Sequence, residues 1–148
     1  MISSPAGRLL CIDDDPDHCE LLRYYLSGRD LITARTVADG LRMARNERFD
    51  LYLMDLRFSD GNGLELCRQI RGFDPDTPII FLSGDVRELM REAALAAGGQ
   101  VFMGKPIDYD RLAETVSALI RSRAAGDSEM MPARVSGEKC RNQEPRLT

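Results

Sequence analysis

Five short apolar runs alternate along the chain with segments in which apolar residues recur at helical spacing. The runs span residues 8–12, 31–35, 51–54, 78–82 and 100–103. They are mostly apolar throughout, which is typical of parallel strands that are covered on both faces. Because crossovers between parallel strands are right-handed, the intervening helices must divide between the two faces. The pattern predicts an α/β fold with a doubly wound, five-stranded parallel sheet of the (βα)5 type.

The segments between the runs predict five helices. The first begins at Pro16 with Asp15 as its cap, and the others cover 38–46, 64–71, 86–97 and 108–123. Residues 59–63 are predicted to form a loop. We expect residues 1–7 to be a leader, 8–123 to be the folded domain and 124–148 to be a disordered polar tail, because the periodic pattern stops near Gly126.

The composition excludes several classes of protein. The chain has 20 basic and 24 acidic residues, so its net charge is −4, which argues against direct binding to nucleic acid. No apolar run approaches the roughly 18 residues of a membrane span. The first residues also lack the pattern of a secretory signal. Four cysteines without close spacing predict unpaired thiols in a reducing compartment. We therefore expect a cytoplasmic protein without membrane association.

Chemically distinctive side chains follow four of the five predicted strands. Asp13 and Asp14 come after the first strand, Asp55 after the third, Ser83 after the fourth and Lys105 after the fifth. The carboxyl ends of parallel strands lie at one edge of the sheet, where such folds form their sites. We therefore expect three carboxylates, a hydroxyl and an ammonium group to lie close together.

This set of groups suits phosphoryl chemistry that depends on a metal ion. Neighbouring carboxylates repel one another, and Mg²⁺ relieves the repulsion while binding phosphate oxygens. A carboxylate beside the cation can attack phosphorus, while Lys105 and Ser83 supply donors to the phosphoryl oxygens. Taken singly, each of these residues also fits a helix cap, a turn or a solvated surface charge. The combination in register with the strand ends favours the site.

Four segments carry a resemblance to a known family. They are LLCIDDDP (9–16), LYLMDLRFSDGNGLEL (51–66), PIIFLSG (78–84) and VFMGKP (101–106). In these segments the chain resembles the receiver domain of two-component response regulators, and the likeness covers about residues 7–123. The resemblance implies the flavodoxin-like strand order 2-1-3-4-5, which leaves the chemically plain second strand at an edge.

The resemblance also implies roles for the acidic residues. Asp55 would be the phospho-acceptor and also one of the metal ligands. Asp14 would bind Mg²⁺ (or Mn²⁺) directly, and Asp13 would do so through water or as a neighbour of the ligands. The backbone carbonyl of Arg57 would be a further metal ligand.

The same resemblance implies which residues respond to the phosphoryl group. Ser83 would contact it, Lys105 would pair with it, and Phe102 occupies the position of the aromatic switch. In this family the bond between Lys105 and Pro106 is usually cis. Arg57 and Asp85 hold positions that influence how long the phosphate lasts, and we hypothesise that they pair across the mouth of the site and hinder attacking water.

His18 is the only histidine of the chain, and it follows Asp17 at the start of the first predicted helix. A phosphohistidine would be one interpretation of this residue. One histidine without further context is weak evidence for such a role. We expect an exposed residue on the helix surface.

The implied function is phosphorelay signal transduction. A sensor histidine kinase or a histidine phosphotransfer protein would donate its phosphoryl group, and the output face would lie at about 86–123, where Arg87, Arg91 and Arg111 fall off the apolar stripe. That face would contact a downstream protein or form a homodimer. The receiver would not be a turnover enzyme on a separate substrate, although it would dephosphorylate itself.

Alternatives remain at this stage. A receiver-like module could bind partners without phosphorylation. A small Mg²⁺-dependent phosphatase with an aspartyl nucleophile would usually carry a second Asp where Arg57 stands. The residues after Arg123 are too few for an output domain, so we expect a single-domain regulator, a phosphate relay or a fragment of a longer chain.

Overall fold

The centre of the computed structural model, which describes residues 7–124, is a five-stranded parallel sheet. The strands of the chain are β1 (Arg8–Ile12), β2 (Asp30–Ala34), β3 (Leu51–Met54), β4 (Arg57–Phe58), β5 (Gly61–Asn62), β6 (Ile79–Ser83) and β7 (Val101–Gly104). The large sheet has the order β2-β1-β3-β6-β7, while β4 and β5 pair separately. Counting only its own strands, the large sheet has the predicted order 2-1-3-4-5.

Four helices connect the strands of the large sheet, and a fifth follows its last strand, β7. They are α1 (Pro16–Tyr25), α2 (Val37–Asn46), α3 (Gly63–Arg71), α4 (Glu88–Ala97) and α5 (Tyr109–Ala124). The first helix starts as predicted, because the Asp15 side chain accepts hydrogen bonds from the backbone N–H groups of Asp17 and His18.

The strands of the large sheet are mostly apolar because each side of the sheet is covered by helices. Leu9 and Cys11 of β1 belong to a core shared with α1 and α5. Leu10 and Ile12 belong to a second core, shared with α2, α3 and α4. Since successive side chains of a strand point to opposite faces, the central positions of a strand between two helical layers are buried on both sides, and polar residues such as Arg8, Asp30 and Ser83 stand at the strand ends.

Most strand and helix boundaries lie within one residue of the sequence prediction, and two segments differ from it in character. Residues 59–63 were expected to be a loop, but β4 and β5 form a short antiparallel hairpin there, and α3 already begins at Gly63. The fourth helix was expected from residue 86, but it begins at Glu88. The backbone N–H of Asp85 is taken by the Ser83 hydroxyl and that of Arg87 by the Asp85 carboxylate, so these residues form a turn instead of a first helical turn.

Most of the predicted leader and nearly all of the predicted disordered tail lie outside the described residues 7–124. Within that part of the chain, no helix has the length and apolar character needed to cross a membrane.

Candidate functional site

The carboxyl edge of the sheet brings three acidic side chains together. Ligand oxygens of Asp13, Asp14 and Asp55 all lie within 4.8 Å of one another. Backbone bonds continue the sheet beyond the strand ends and hold two of these residues in place. The N–H of Asp13 donates to the carbonyl of Ala34 at 2.9 Å, and the N–H of Asp55 donates to the carbonyl of Ile12 at 3.1 Å. The predicted convergence of carboxylates is therefore present.

These residues open onto a cleft of about 830 Å³. We call it the carboxylate cleft, and it is lined by Asp14, Asp55, Arg57, Phe58, Ser83, Gly84, Asp85, Arg87 and Lys105. Apart from Arg87, which was expected on the output face, its charged and hydroxyl-bearing members are residues that the sequence predicted for the site. Asp13 does not line the cleft itself and lies buried behind it with 2% of its surface exposed.

Asp55 is held from two sides. One carboxylate oxygen accepts the backbone N–H of Leu56 at 2.6 Å, and the other accepts a hydrogen bond from Lys105 Nζ at 3.2 Å. Gly63 packs its Cα side directly against the carbonyl oxygen of Asp55, and a Cβ there would overlap that oxygen. The glycine in the segment after Asp55 is therefore needed for the close approach of α3 to the strand end.

Lys105 reaches the cleft from the end of the fifth strand of the sheet. Its backbone N–H donates to the carbonyl of Ser83 at 2.7 Å, and the bond to Pro106 is cis, as in the resembling family. Burial opposes the charged form most, but the neighbouring Asp55 and Asp13 outweigh it and raise the pKa of Lys105. The ammonium is thus a stable positive charge beside the carboxylates.

The Ser83 hydroxyl faces backbone atoms of its own loop. It accepts the N–H of Asp85 at 3.0 Å, and Ser83 is buried. Phe102, on the neighbouring strand, is half-buried and packs against the core shared with α2, α3 and α4.

The pair expected between Arg57 and Asp85 is present but loose. Arg57 Nη2 lies 3.8 Å from Asp85, and the arginine side chain is 83% exposed. The principal partner of Asp85 is Arg87, which donates through Nε at 2.9 Å and Nη2 at 2.7 Å. Sequence reasoning placed Arg87 on the output face and missed this contact. The spacing in the sequence could have indicated it, because Arg87 follows Asp85 by two residues and a side chain in a turn can reach back to a carboxylate at that distance along the chain.

The Arg87 guanidinium affects the acid strength of Asp85. Its hydrogen bonds are the largest influence and lower the pKa of Asp85 to about 2, with a further contribution from Arg57. Asp85 therefore stays negatively charged at the mouth of the cleft, between two cations.

The expectation for His18 was wrong. The side chain is buried, with 8% exposed, and its Nδ1 lies 2.8 Å from an Asp13 carboxylate oxygen. The signal was available, since His18 precedes Leu22 by four positions and so shares the inward face of the helix. The absence of other histidines directed attention away from that spacing.

Burial is the largest influence on Asp13 and opposes its ionisation. Hydrogen bonds from His18 and from the backbone N–H of Asp15 outweigh burial, and they lower the pKa of Asp13 below its ordinary value. An ionised Asp13, an exposed Asp14 and a half-buried Asp55 form a set of hard oxygen donors. Such a set fits Mg²⁺, which favours one or two carboxylates together with water and phosphate oxygens.

Comparisons with known proteins agree on one family. Residues 9–117 match the family model described as the response regulator receiver domain. The response regulator protein PilR of Pseudomonas aeruginosa is 37% identical over 118 residues, which are 78% of this chain and 26% of PilR. The chain thus spans about a quarter of the length of this curated relative.

Solved structures give the same fold. A two-component response regulator from Clostridium difficile is 27% identical with a TM-score of 0.75, covering 78% of this chain and 97% of that one. The receiver domain of a sensor histidine kinase from Pseudomonas aeruginosa is 26% identical with a TM-score of 0.73, covering 78% of this chain and 98% of that one. That structure is described as having a magnesium ion coordinated in its active site cleft.

Proposed function

The chain belongs to the response regulator receiver family, whose place is in phosphorelay signalling, and on that premise we propose that Asp55 accepts a phosphoryl group from a phosphohistidine donor. The observation that carries the proposal is the position of Asp55. Its carboxylate stands at a strand end, within 4.8 Å of two further carboxylates and 3.2 Å from an ammonium group. This family is not a classical enzyme family, so we expect a phosphorylated protein and not turnover of a separate substrate.

The transfer forms one bond and breaks another. An oxygen of Asp55 bonds to phosphorus while the bond between phosphorus and the donor imidazole nitrogen breaks, and the electron pair returns to the imidazole. Asp14 and the carbonyl of Arg57 would hold Mg²⁺ (or Mn²⁺) directly, and Asp13 through water. When bound, the ion offsets the negative charge that develops on the phosphoryl oxygens.

Lys105 and Ser83 would respond to the new group. Lys105 Nζ already touches an Asp55 oxygen, so a small shift lets it donate to a phosphoryl oxygen instead. The Ser83 hydroxyl accepts the N–H of Asp85 and also lies 3.5 Å from the Asp85 carbonyl, so its proton would turn from that carbonyl to the phosphoryl group. That exchange loosens the turn before α4, and Phe102 on the adjacent strand would move with it. The phosphoryl group thus biases two arrangements of the loop.

Hydrolysis would return Asp55 to its carboxylate. Water attacks the phosphorus and releases inorganic phosphate, and this intrinsic step is part of the proposal. Arg57 and Asp85 stand at the mouth of the carboxylate cleft, where their side chains would hinder the approach of water.

The partners follow from the same scheme. A sensor histidine kinase or a histidine phosphotransfer protein would donate the phosphoryl group, and residues of about 86–123 would contact a downstream protein. Val86, in the turn before α4, and Leu89, in its first turn, support this surface, because they are 60% and 72% exposed. Arg87 and Arg111 are exposed there, whereas Arg91 is only half-exposed. A homodimer would use the same surface.

Domain limits and location complete the proposal. The receiver domain would span residues 8–123, which enclose the segment matching the family model. Three buried cysteines are unpaired, and that state suits the reducing cytoplasm.

The proposal is tested by intact-mass spectrometry after incubation with acetyl phosphate. We expect one added phosphoryl group when Mg²⁺ is present, and none with a chelator or in Asp55→Asn. If neither acetyl phosphate nor a phosphorylated kinase donor gives an adduct while Mg²⁺ binds normally, the phosphorylation mechanism is wrong. The chain would then be a binding module that works without phosphorylation.

A further inference from the structure

Asp13 is fixed at both of its carboxylate oxygens. Oδ1 accepts the backbone N–H of Asp15 at 2.9 Å, and Oδ2 lies 2.8 Å from Nδ1 of His18. Both side chains of this second contact are nearly inaccessible to solvent, with 3% and 9% of the side chains exposed. Because a carboxylate can only accept, Nδ1 must carry the proton and donate it.

The other ring nitrogen of His18 has no partner. Nε2 is buried and makes no hydrogen bond to any of the described residues. The ring instead lies beside Tyr109, with centroids 6.2 Å apart and planes tilted by 60°. A buried polar atom without a partner is unfavourable, and an apolar side chain would fill the same place without that cost. Packing therefore does not explain a histidine here, whereas the contact to Asp13 does.

We propose that His18 is a positioning residue for the metal site, which holds the Asp13 carboxylate in the orientation that binds the hydration shell of Mg²⁺. This inference rests on the proposed function. Each carboxylate oxygen has two lone pairs, and the bonds from His18 and Asp15 use one on each oxygen. The remaining lone pairs are available on the side where ligand oxygens of Asp14 and Asp55 lie within 4.8 Å. Without His18, only the N–H of Asp15 holds the Asp13 carboxylate, and its orientation toward them is less firmly fixed.

The first test uses the wild-type chain and needs no variant. His18 is the only histidine, so a histidine-labelled sample gives one set of ring signals. We expect ¹⁵N NMR to find Nδ1 protonated. We also expect the ring signals to shift during a Mg²⁺ titration with the same midpoint as the backbone amide signals of Asp14 and Asp55. An unprotonated Nδ1, or ring signals whose chemical shifts do not change when Mg²⁺ is added, would overturn the proposal.

The second test separates positioning from packing. His18→Leu fills the site but removes the donor, and we expect its Mg²⁺ affinity, read from backbone amide signals, to fall about tenfold. His18→Asn keeps an N–H at the place of Nδ1, and we expect its affinity to stay within about threefold of wild type. The leucine removes the unpartnered nitrogen but also leaves the buried Asp13 oxygen without its donor, so urea unfolding of both variants measures the change in stability separately from the change in affinity. A structural role alone predicts that affinity and stability change together.

Leu22→Val is the matched control. It disturbs the fully buried Leu22 on the inward face of the same helix, so it should lower stability and leave Mg²⁺ affinity unchanged. If the wild-type protein binds Mg²⁺ and His18→Leu binds it within twofold of wild type, only the role of His18 is wrong. If the wild-type protein does not bind Mg²⁺, the proposed metal site and this inference are both wrong.

Discussion

Lys105 places a positive charge in the same cleft as the proposed metal ligands Asp14 and Asp55. Its ammonium donates a hydrogen bond to the Asp55 carboxylate at 3.2 Å. The same charge repels a divalent cation and attracts a phosphoryl group. Binding of metal and transfer of phosphate should therefore respond to this side chain with opposite signs.

In Lys105→Met we expect Mg²⁺ to bind more tightly. A unit positive charge near a divalent ion in a solvated cleft contributes roughly 1 kcal/mol of repulsion, which is about fivefold in affinity. Phosphorylation by acetyl phosphate should slow by about tenfold or more, because a donor to the transferring oxygens is lost. Isothermal titration and timed mass spectrometry measure the two effects. Lys105→Arg keeps the charge and should bind Mg²⁺ like wild type, and weaker binding by Lys105→Met would contradict the assignment.

At the scale of elements, the turn between β6 and α4 is the part of the molecule that links the cleft to the proposed output surface. Two hydrogen bonds hold this turn. The N–H of Asp85 donates to the Ser83 hydroxyl, and the Arg87 guanidinium donates to the Asp85 carboxylate. Gly104 on β7 leaves room for Val86, whose side chain would lie 2.5 Å from a Cβ at that position. A shift of the turn therefore moves the start of α4 against the neighbouring strand.

Arg57 and Arg87 both pair with the Asp85 carboxylate. Removing one or the other should therefore change the rate of dephosphorylation in opposite directions. In Arg57→Ala we expect the phosphorylated protein to lose its phosphate about two to three times faster, because the pair across the mouth is lost. In Arg87→Ala, Asp85 is free to turn toward Arg57, so dephosphorylation should slow by a similar factor. Loss of phosphate over time, followed by intact mass, measures both rates. Equal rates in the two variants and in wild type would contradict gating at the mouth.

At the scale of the whole molecule, a network of polar contacts lies at the edge of the sheet opposite the carboxylate cleft and links the segments there. The Tyr52 hydroxyl donates to Asp74 at 2.9 Å, and the N–H of Thr77 donates to the same carboxylate at 3.1 Å. Arg71 donates to the carbonyls of Asp74 and Gly98, so the network connects the loop before β6 to the end of α4. These contacts stabilise the fold at a distance from the site.

Asp74 should make stability depend on pH. Burial raises its pKa most, but hydrogen bonds from Thr77 and Tyr52 outweigh burial and lower the pKa of Asp74 in the folded state. The ionised carboxylate therefore stabilises the fold above the unfolded pKa of about 3.9, and this contribution is lost as the pH falls through the folded pKa.

We expect Asp74→Asn to be about 1–2 kcal/mol less stable than wild type at pH 7. The gap should shrink when urea unfolding is repeated near pH 3, since the wild-type carboxylate is then becoming protonated. Tyr52→Phe, which removes one donor but no carboxylate, should leave much of the pH dependence in place. If the difference in free energy of unfolding between wild type and Asp74→Asn does not change with pH, the Asp74 carboxylate does not contribute to the pH dependence of stability.

Much of the fold followed from local patterns. Apolar runs and helical spacing are properties of neighbouring residues, so the five parallel strands and the five helices were predicted with boundaries close to those observed. The convergence of Asp13, Asp14 and Asp55 also followed, because parallel strands carry their carboxyl ends to one edge wherever the chain runs between them. The residues that carry the proposed chemistry were therefore available from order and spacing alone.

Tertiary structure decided which partner each side chain takes. His18 contacts Asp13 because α1 packs its inward face against β1, and Asp85 takes Arg87 more closely than Arg57 because the turn before α4 brings that guanidinium nearest. The hairpin of β4 and β5 formed within a segment whose composition indicated only a loop. Periodicity reports which face of an element is buried, but a hydrogen bond depends on distances of a few tenths of an ångström between groups placed by different elements. Only the packed molecule sets those distances.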